Sequence, residues 1–230
     1  MRIKVVQYSD RQSIINITQP ILLDYCRQHG YEHQLLTPET LKTTNVHHSA
    51  WTKFIAILSE IDLSSDLEWI IWIDDDILIM NKTISLEMFT TYNYDKIFVG
   101  AMFNEFSEIC VHSGIFGLRN CLESLILMNN FYLDKKFYTQ KYNCLIGEEA
   151  ALGKLYTDTH WGEKMQLNIP ISKLFTYPYD VELYRQVVES MKVYYKDVHH
   201  FKQGDFFIHP MLLDINAKEE ILKKYATRSY

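Results

Sequence analysis

Short apolar runs alternate along this chain with longer segments in which apolar residues recur every three to four positions, the pattern of an α/β layer architecture. Ile3 to Gln7 reads as a first strand. Ile14, Ile17, Ile21, Leu22 and Tyr25 then share a helical face, and Gly30 stands where a left-handed cap belongs. Pro20 falls inside that pattern, so a kink or a later helix start is expected there. Tyr31 to Leu36 is a short second strand. Ser49 is placed to cap a helix with Trp51, Phe54, Ile55, Leu58 and Ile61 on its apolar face. Trp69 to Ile73 is continuously apolar, as a strand covered on both faces must be. Lys96 to Met102, Gly114 to Leu118 and Phe206 to Ile208 read as further strands, and Cys121 to Phe131, Glu148 to Leu155 and Ala217 to Tyr225 as helices. The stretch from Thr157 to Gln203 has no clear period and is expected to be a loop-heavy, aromatic cover over the sheet.

Composition narrows the class. In 230 residues, 47% hydrophobic and 23% charged content excludes a disordered chain, and the formal net charge of -6 offers no basic excess for a phosphate backbone, so nucleic acid is not an expected partner. The four cysteines are scattered without a CxxC pair, which reads as buried free thiols in a reducing compartment. Residues 1–8 hold too short an apolar run for a signal peptide, and the most apolar region carries three aspartates, so no transmembrane segment is expected. On this reading, the two Asn-x-Thr sequons at Asn16 and Asn81 carry no meaning. The expectation is one cytoplasmic domain over residues 1–230, with a nucleotide-binding half near 1–110 and an acceptor-binding half near 111–230.

The chemistry concentrates at Asp74-Asp75-Asp76, directly after the most buried strand. Three adjacent carboxylates at a partly desolvated strand end repel one another, and a divalent cation relieves that cost; oxygen ligands suit Mg²⁺ or Mn²⁺. In open α/β sheets, ligands gather beyond the carboxyl ends of the strands, where these residues fall. An acidic turn capping a helix is the plainer alternative. If repulsion dominates without metal, Asp76→Asn should raise thermal stability.

A strand ending in DxD, here Asp74 and Asp76, resembles the metal motif of GT-A fold glycosyltransferases. Further segments follow in the order seen in glycogenin-like enzymes and in fungal and plant galactosyl-, mannosyl- and xylosyltransferases. These are His29-Gly30-Tyr31, Trp51-Thr52-Lys53, His112-Ser113-Gly114-Ile115-Phe116, Gly147-Glu148-Glu149 with Leu152, and the late His209. The resemblance departs at His112, where Asn is usual, at Glu148-Glu149, where Asp-Gln is usual, and at Pro210-Met211, which replace a Gly- and Lys-containing phosphate loop.

What the resemblance implies is a single GT-A, Rossmann-like α/β domain with a mixed, mostly parallel sheet flanked by helices. Its activity would be metal-dependent transfer of a sugar from a nucleotide-diphosphate sugar, a UDP-sugar foremost, to a glycan, glycoconjugate or other hydroxyl acceptor. Asp74, Asp76 and His209 would hold Mn²⁺, or Mg²⁺ in its place. Gln7, Tyr8, Lys53, Asp74, Asp75, Ser113 and Gly114 would contact the donor, Glu148 would act at the anomeric carbon, and Glu149 beside it would contact hydroxyls. Plainer readings stand beside these: a core histidine for His209, a solvated helix lysine for Lys53, ordinary packing for Tyr8, a bulge glycine for Gly114, and dipole-favoured carboxylates at a helix start for Glu148 and Glu149. His47, His48, His199 and His200 read as loop or surface residues. Two rival functions remain: a haloacid-dehalogenase-like phosphatase, whose DxD belongs on the first strand, and a non-catalytic nucleotide-sugar-binding module.

Overall fold

The computed structural model describes residues 1–41, 49–90, 95–105, 108–134, 147–167, 200–211 and 213–230. His47, His48 and His199, and most of the 157–203 stretch, lie outside them; His200 is half-buried. A six-stranded sheet forms the centre in the order β2-β1-β3-β8-β5-β9, from β1 (Ile3–Tyr8), β2 (Glu32–Leu36), β3 (Trp69–Ile73), β5 (Phe98–Val99), β8 (Ile115–Arg119) and β9 (Met165–Gln166). β8 runs antiparallel to both neighbours, β3 and β5, while the remaining pairs are parallel. Two small antiparallel pairs lie outside this sheet: β4 (Leu78–Ile79) with β10 (Phe207–Ile208), and β6 (Met102–Glu105) with β7 (Glu108–Val111).

β3 is buried along its whole length, and its period of two divides the core. Ile70 and Trp72 point to one layer with Trp51, Phe54, Phe116 and Phe131; Trp69, Ile71 and Ile73 point to the other with Val5, Leu22 and Tyr25. Each such side chain contributes roughly 1.5–3 kcal/mol by leaving water, which fixes the strand and thereby the acidic residues at its end.

Among the described residues the helices longer than one turn are α1 (Gln12–His29), α2 (Thr52–Ser59), α3 (Leu122–Leu133), α4 (Gly147–Asp158) and α5 (Ile215–Ala226). α1 runs unbroken through Pro20: the proline and Asn16, whose carbonyl loses its helical donor, both face solvent, so water replaces the missing bond. Gly30 closes the helix at φ 73°, and the Tyr31 N–H donates to the Cys26 carbonyl.

Several expectations need correction. Ser49 opens a 3₁₀ turn (Ser49–Trp51), and Trp51, without a side-chain cap, leads into α2. The buried face of α2 includes Thr52, Lys53, Ala56 and Ile57, because Lys53 is drawn inward by acidic partners. The expected strand over Lys96–Met102 divides: β5 stays in the main sheet, and after Gly100 and Ala101 the chain leaves it to form β6. The stretch after Thr157 begins as the end of α4, a 3₁₀ turn (His160–Lys164) and edge strand β9, elements too short to leave a period in the sequence. No helix among the described residues is long and apolar enough to cross a membrane.

Candidate active site

Sheet topology builds the site. Because β8 runs against β3 with Ile115 opposite Ile73, the residues before β8 return to the carboxyl end of β3, and the Asp74 N–H donates to the Gly114 carbonyl at 2.8 Å. The β4–β10 pairing sets Ile208 opposite Leu78, so His209 arrives beside Asp76. α4 begins at this same rim and points its first turn, Glu148 and Glu149, inward. A cleft of about 480 Å³ opens there, and Tyr8, Lys53, all three aspartates, Ser113, Gly114, both glutamates and His209 border it. Gln7 does not: it is buried behind the rim, its side-chain amide 3.5 Å from the Asp74 carbonyl.

The three aspartates have different surroundings. Asp74 accepts from Trp72 Nε1 at 2.6 Å and pairs with Lys53 Nζ at 3.3 Å. Asp75 turns the other way, to the Ser9 hydroxyl and the Arg11 guanidinium, and its backbone carbonyl accepts from the Thr18 hydroxyl at 2.7 Å. Burial, then the Asp76 charge, pushes its carboxyl up to about 6. Asp76 lies 3.0 Å from His209 Nε2, meets the Lys218 ammonium, and has Arg11 at 3.5 Å. Burial would raise its carboxyl, but these neighbours outweigh it and hold it well below the usual range.

One potential ligand atom each from Asp74, Asp76 and His209 lies within 4.8 Å of the other two. Two carboxylates and an imidazole are an oxygen/nitrogen donor set that fits a divalent transition ion, and the ammonium drawn onto Asp76 shows that this position attracts positive charge. Gly114 is part of the fit, but for a different reason from close approach to a sugar. A Cβ there would stand 2.9 Å from both the His112 and His209 rings. The two rings meet edge to face with centroids 5.9 Å apart, and burial, then the His209 and Lys53 charges, keeps His112 neutral.

The glutamates, 3% and 4% exposed, border the same cleft. Lys53, itself buried, donates to the Ser113 hydroxyl at 2.9 Å and lies 3.6 Å from Glu148. Although both glutamates sit in the first turn of α4, where the helix dipole favours anions, burial wins. Burial raises Glu148, and burial together with the Glu148 charge raises Glu149 to about 8.

Residues 5–97 match the model of the galactosyl transferase GMA12/MNN10 family. The crystal structure of a glycosyltransferase involved in the glycosylation of the major capsid of PBCV-1 aligns with 97% of this chain and 100% of its own, at TM-score 0.67 and 14% identity. This chain has the GT-A glycosyltransferase fold. Among curated relatives, putative glycosyltransferase 7 of Arabidopsis thaliana is 25% identical over 203 residues, covering 84% of this chain and 39% of its own length. Xyloglucan 6-xylosyltransferase 4 of the same plant is 30% identical over 110 residues, covering 46% of this chain and 21% of its own length. The chain thus spans well under half the length of these relatives.

On this GT-A rim the sequence reading placed every residue but Gln7, and it missed two cations. Arg11 had a visible signal, since it follows β1 at the sheet end where ligands collect. Lys218 had none, because its link to Asp76 crosses 142 residues.

The buried glutamates give the fold a pH signature. A folded-state value near 8 for Glu149, against an ordinary 4.5, means the folded protein binds more protons than the unfolded chain in between. The stability that follows is complete below about pH 4.5 and is lost as pH rises through 8, at up to about 1.4 kcal/mol per pH unit. Thermal melts in EDTA from pH 5 to 9 should show this decline, and Glu149→Gln should flatten it.

Proposed function

We propose that this chain transfers a sugar from a nucleotide-diphosphate donor, UDP-linked foremost, to a carbohydrate or glycoconjugate hydroxyl, and that it uses Mn²⁺, with Mg²⁺ as a weaker substitute. The observation that carries the reading is the meeting of Asp74, Asp76 and His209 in one cleft with Glu148 and Glu149, in a GT-A fold. Asp74, Asp76 and His209 would hold the ion. When bound it would supply positive charge to the departing diphosphate. Around it, Arg11 and Lys218 are placed to add charge for the phosphates, which suits an anionic donor in a chain of net charge -6. Tyr8 borders the cleft after β1, where it can stack on a base. Asp75, turned to Ser9 and Arg11, steadies the rim, and Gly114 leaves room for the packed His112 and His209 rings.

In the transfer, the bond between the anomeric carbon and the diphosphate oxygen breaks, its electron pair leaves with the diphosphate, and the acceptor oxygen forms the new bond and gives up its proton, to Glu148 where that carboxylate is the base and otherwise to the departing diphosphate. Glu148 is the carboxylate we assign to the anomeric centre, as base or stabilising anion, and Glu149 to sugar hydroxyls. The test is a screen of nucleotide sugars for donor hydrolysis with Mn²⁺, which needs no acceptor. One donor should be cleaved, EDTA should stop the reaction, and Mn²⁺ should restore it better than Ca²⁺, whose preference is for all-oxygen shells. Cleavage of no donor, with phosphate released from an aryl phosphate, would replace this reading with the phosphatase one.

A further inference from the structure

Two adjacent buried glutamates of like chemistry invite the question of what makes them different, and the answer lies in one hydroxyl. Ser113 precedes β8 and faces α4. Its Oγ is 2.9 Å from Lys53 Nζ, 2.9 Å from Glu148 Oε1 and 3.4 Å from Glu149 Oε1. An ammonium can only donate, so the hydroxyl accepts from Lys53, and a hydroxyl has a single proton to give. The nearer carboxylate is Glu148. Glu149 Oε1 is held instead by the Ser113 backbone N–H at 3.0 Å. Glu148 also has the Lys53 ammonium at 3.6 Å, which with the Ser113 hydroxyl opposes the burial and the Asp74 charge that raise its carboxyl. The groups that face Glu149 are Glu148 on its own helix, Lys53 from α2 and Asp74 from the end of β3, so two of three neighbouring charges oppose its ionisation.

We infer that Ser113 is a positioning residue that assigns the two glutamates opposite forms, holding Glu148 as the anion through the hydroxyl it shares with Lys53 and leaving Glu149 with the proton. Lys53, Ser113 and Glu148 form a directed chain in which each group has a single orientation open to it. The raised value of Glu149 is consistent with this division, which the geometry carries by itself. Sequence placed Ser113 among the donor contacts; with its single proton given to Glu148 and one lone pair to Lys53, its hydroxyl can meet a donor only as an acceptor. The consequence for catalysis rests on the glycosyl-transfer reading, whereas the division of charge does not.

The experiment uses the full chain carrying ¹³C-carboxyl-labelled glutamate, followed by NMR from pH 4 to 9 without donor or metal, with Glu148→Gln and Glu149→Gln assigning the two signals. In the unmodified protein the Glu149 carboxyl should remain protonated at pH 7 while Glu148 is ionised. Ser113→Ala should move the Glu148 midpoint upward by about one pH unit or more, a tenfold change in its proton affinity, since it removes a charge-assisted bond. Ser113→Thr, which keeps the hydroxyl, should restore the original order; if Ser113→Ala does not fold, Ser113→Cys, a poor donor, makes the same comparison. In donor cleavage, Ser113→Ala should lower kcat by about tenfold and shift its pH profile upward, with donor KM little changed and Thr restoring both. Unchanged Glu148 and Glu149 midpoints in Ser113→Ala, or a protonated Glu148 beside an ionised Glu149, would overturn the inference. Expected midpoints in a protein that cleaves no donor would overturn the transfer reading alone.

Discussion

Asp76→Asn should abolish high-affinity metal binding, measured by calorimetry, reduce donor cleavage by on the order of 10²–10³-fold, and lower the thermal midpoint of the metal-free protein. The last sign is opposite to what repulsion among three aspartates suggests. In the fold Asp76 is 3% exposed and carries His209, Lys218 and Arg11 around it. Its carboxyl is held well below the usual range, so ionisation of Asp76 stabilises the folded state. Removing that charge leaves the Lys218 ammonium, 9% exposed as a residue, without its anion. Breaking one side of a buried pair costs on the order of 3 kcal/mol, or several degrees in a chain of this length. A rise in melting temperature would mean that Arg11, Lys218 and the His209 contact do not offset the repulsion within the cluster in solution.

Glu148→Gln should lower kcat for the best donor by on the order of 10²-fold or more while leaving donor affinity nearly unchanged, because the charge it removes acts on the reaction rather than on binding. Glu149→Gln should be milder and act on the acceptor KM. The reason is chemical: a glutamic acid held neutral at pH 7 differs little from its amide in shape and not at all in charge. Lys53 provides a further contrast, since Glu148→Gln leaves its ammonium paired with Asp74 at 3.3 Å. Rapid-quench measurement of a single turnover separates the two variants from any change in product release. If Glu149→Gln proved the more damaging, the roles assigned along α4 would shift by one residue.

How much of this could be read from the residues follows from how far each signal reaches along the chain. Trp69 to Ile73 announces a buried strand because every position is apolar, and the aspartates after it announce an anion cluster because neighbouring charges are visible as neighbours. Glu148 and Glu149 were legible through resemblance, and their burial through nothing local. The capping of α2 was misread because a one-turn 3₁₀ segment intervenes between Ser49 and the helix. β6, β7 and β9 are two to four residues long, too brief for period-two patterning to rise above chance. The neutralising cations escaped for a different reason: Lys218 lies on the inner side of α5 at ordinary helical spacing, and only the docking of α5 against α1 brings it to Asp76.

That docking has a consequence for how the molecule comes into being. The contact between Asp76 and Lys218 closes a loop of 142 residues, and β9 and β10 also join partners formed much earlier in the chain. Contacts of such long range are entropically slow to form. β1, β2 and β3 can pair soon after synthesis, with Arg11 and Lys53 at hand for Asp75 and Asp74, yet Asp76 has to wait for His209 and Lys218 until that part of the chain has been made. Refolding should therefore pass through a stage in which the early strands are protected from hydrogen exchange while the rim is still open. A divalent ion present during that interval should speed the final step by standing in for the absent ammonium.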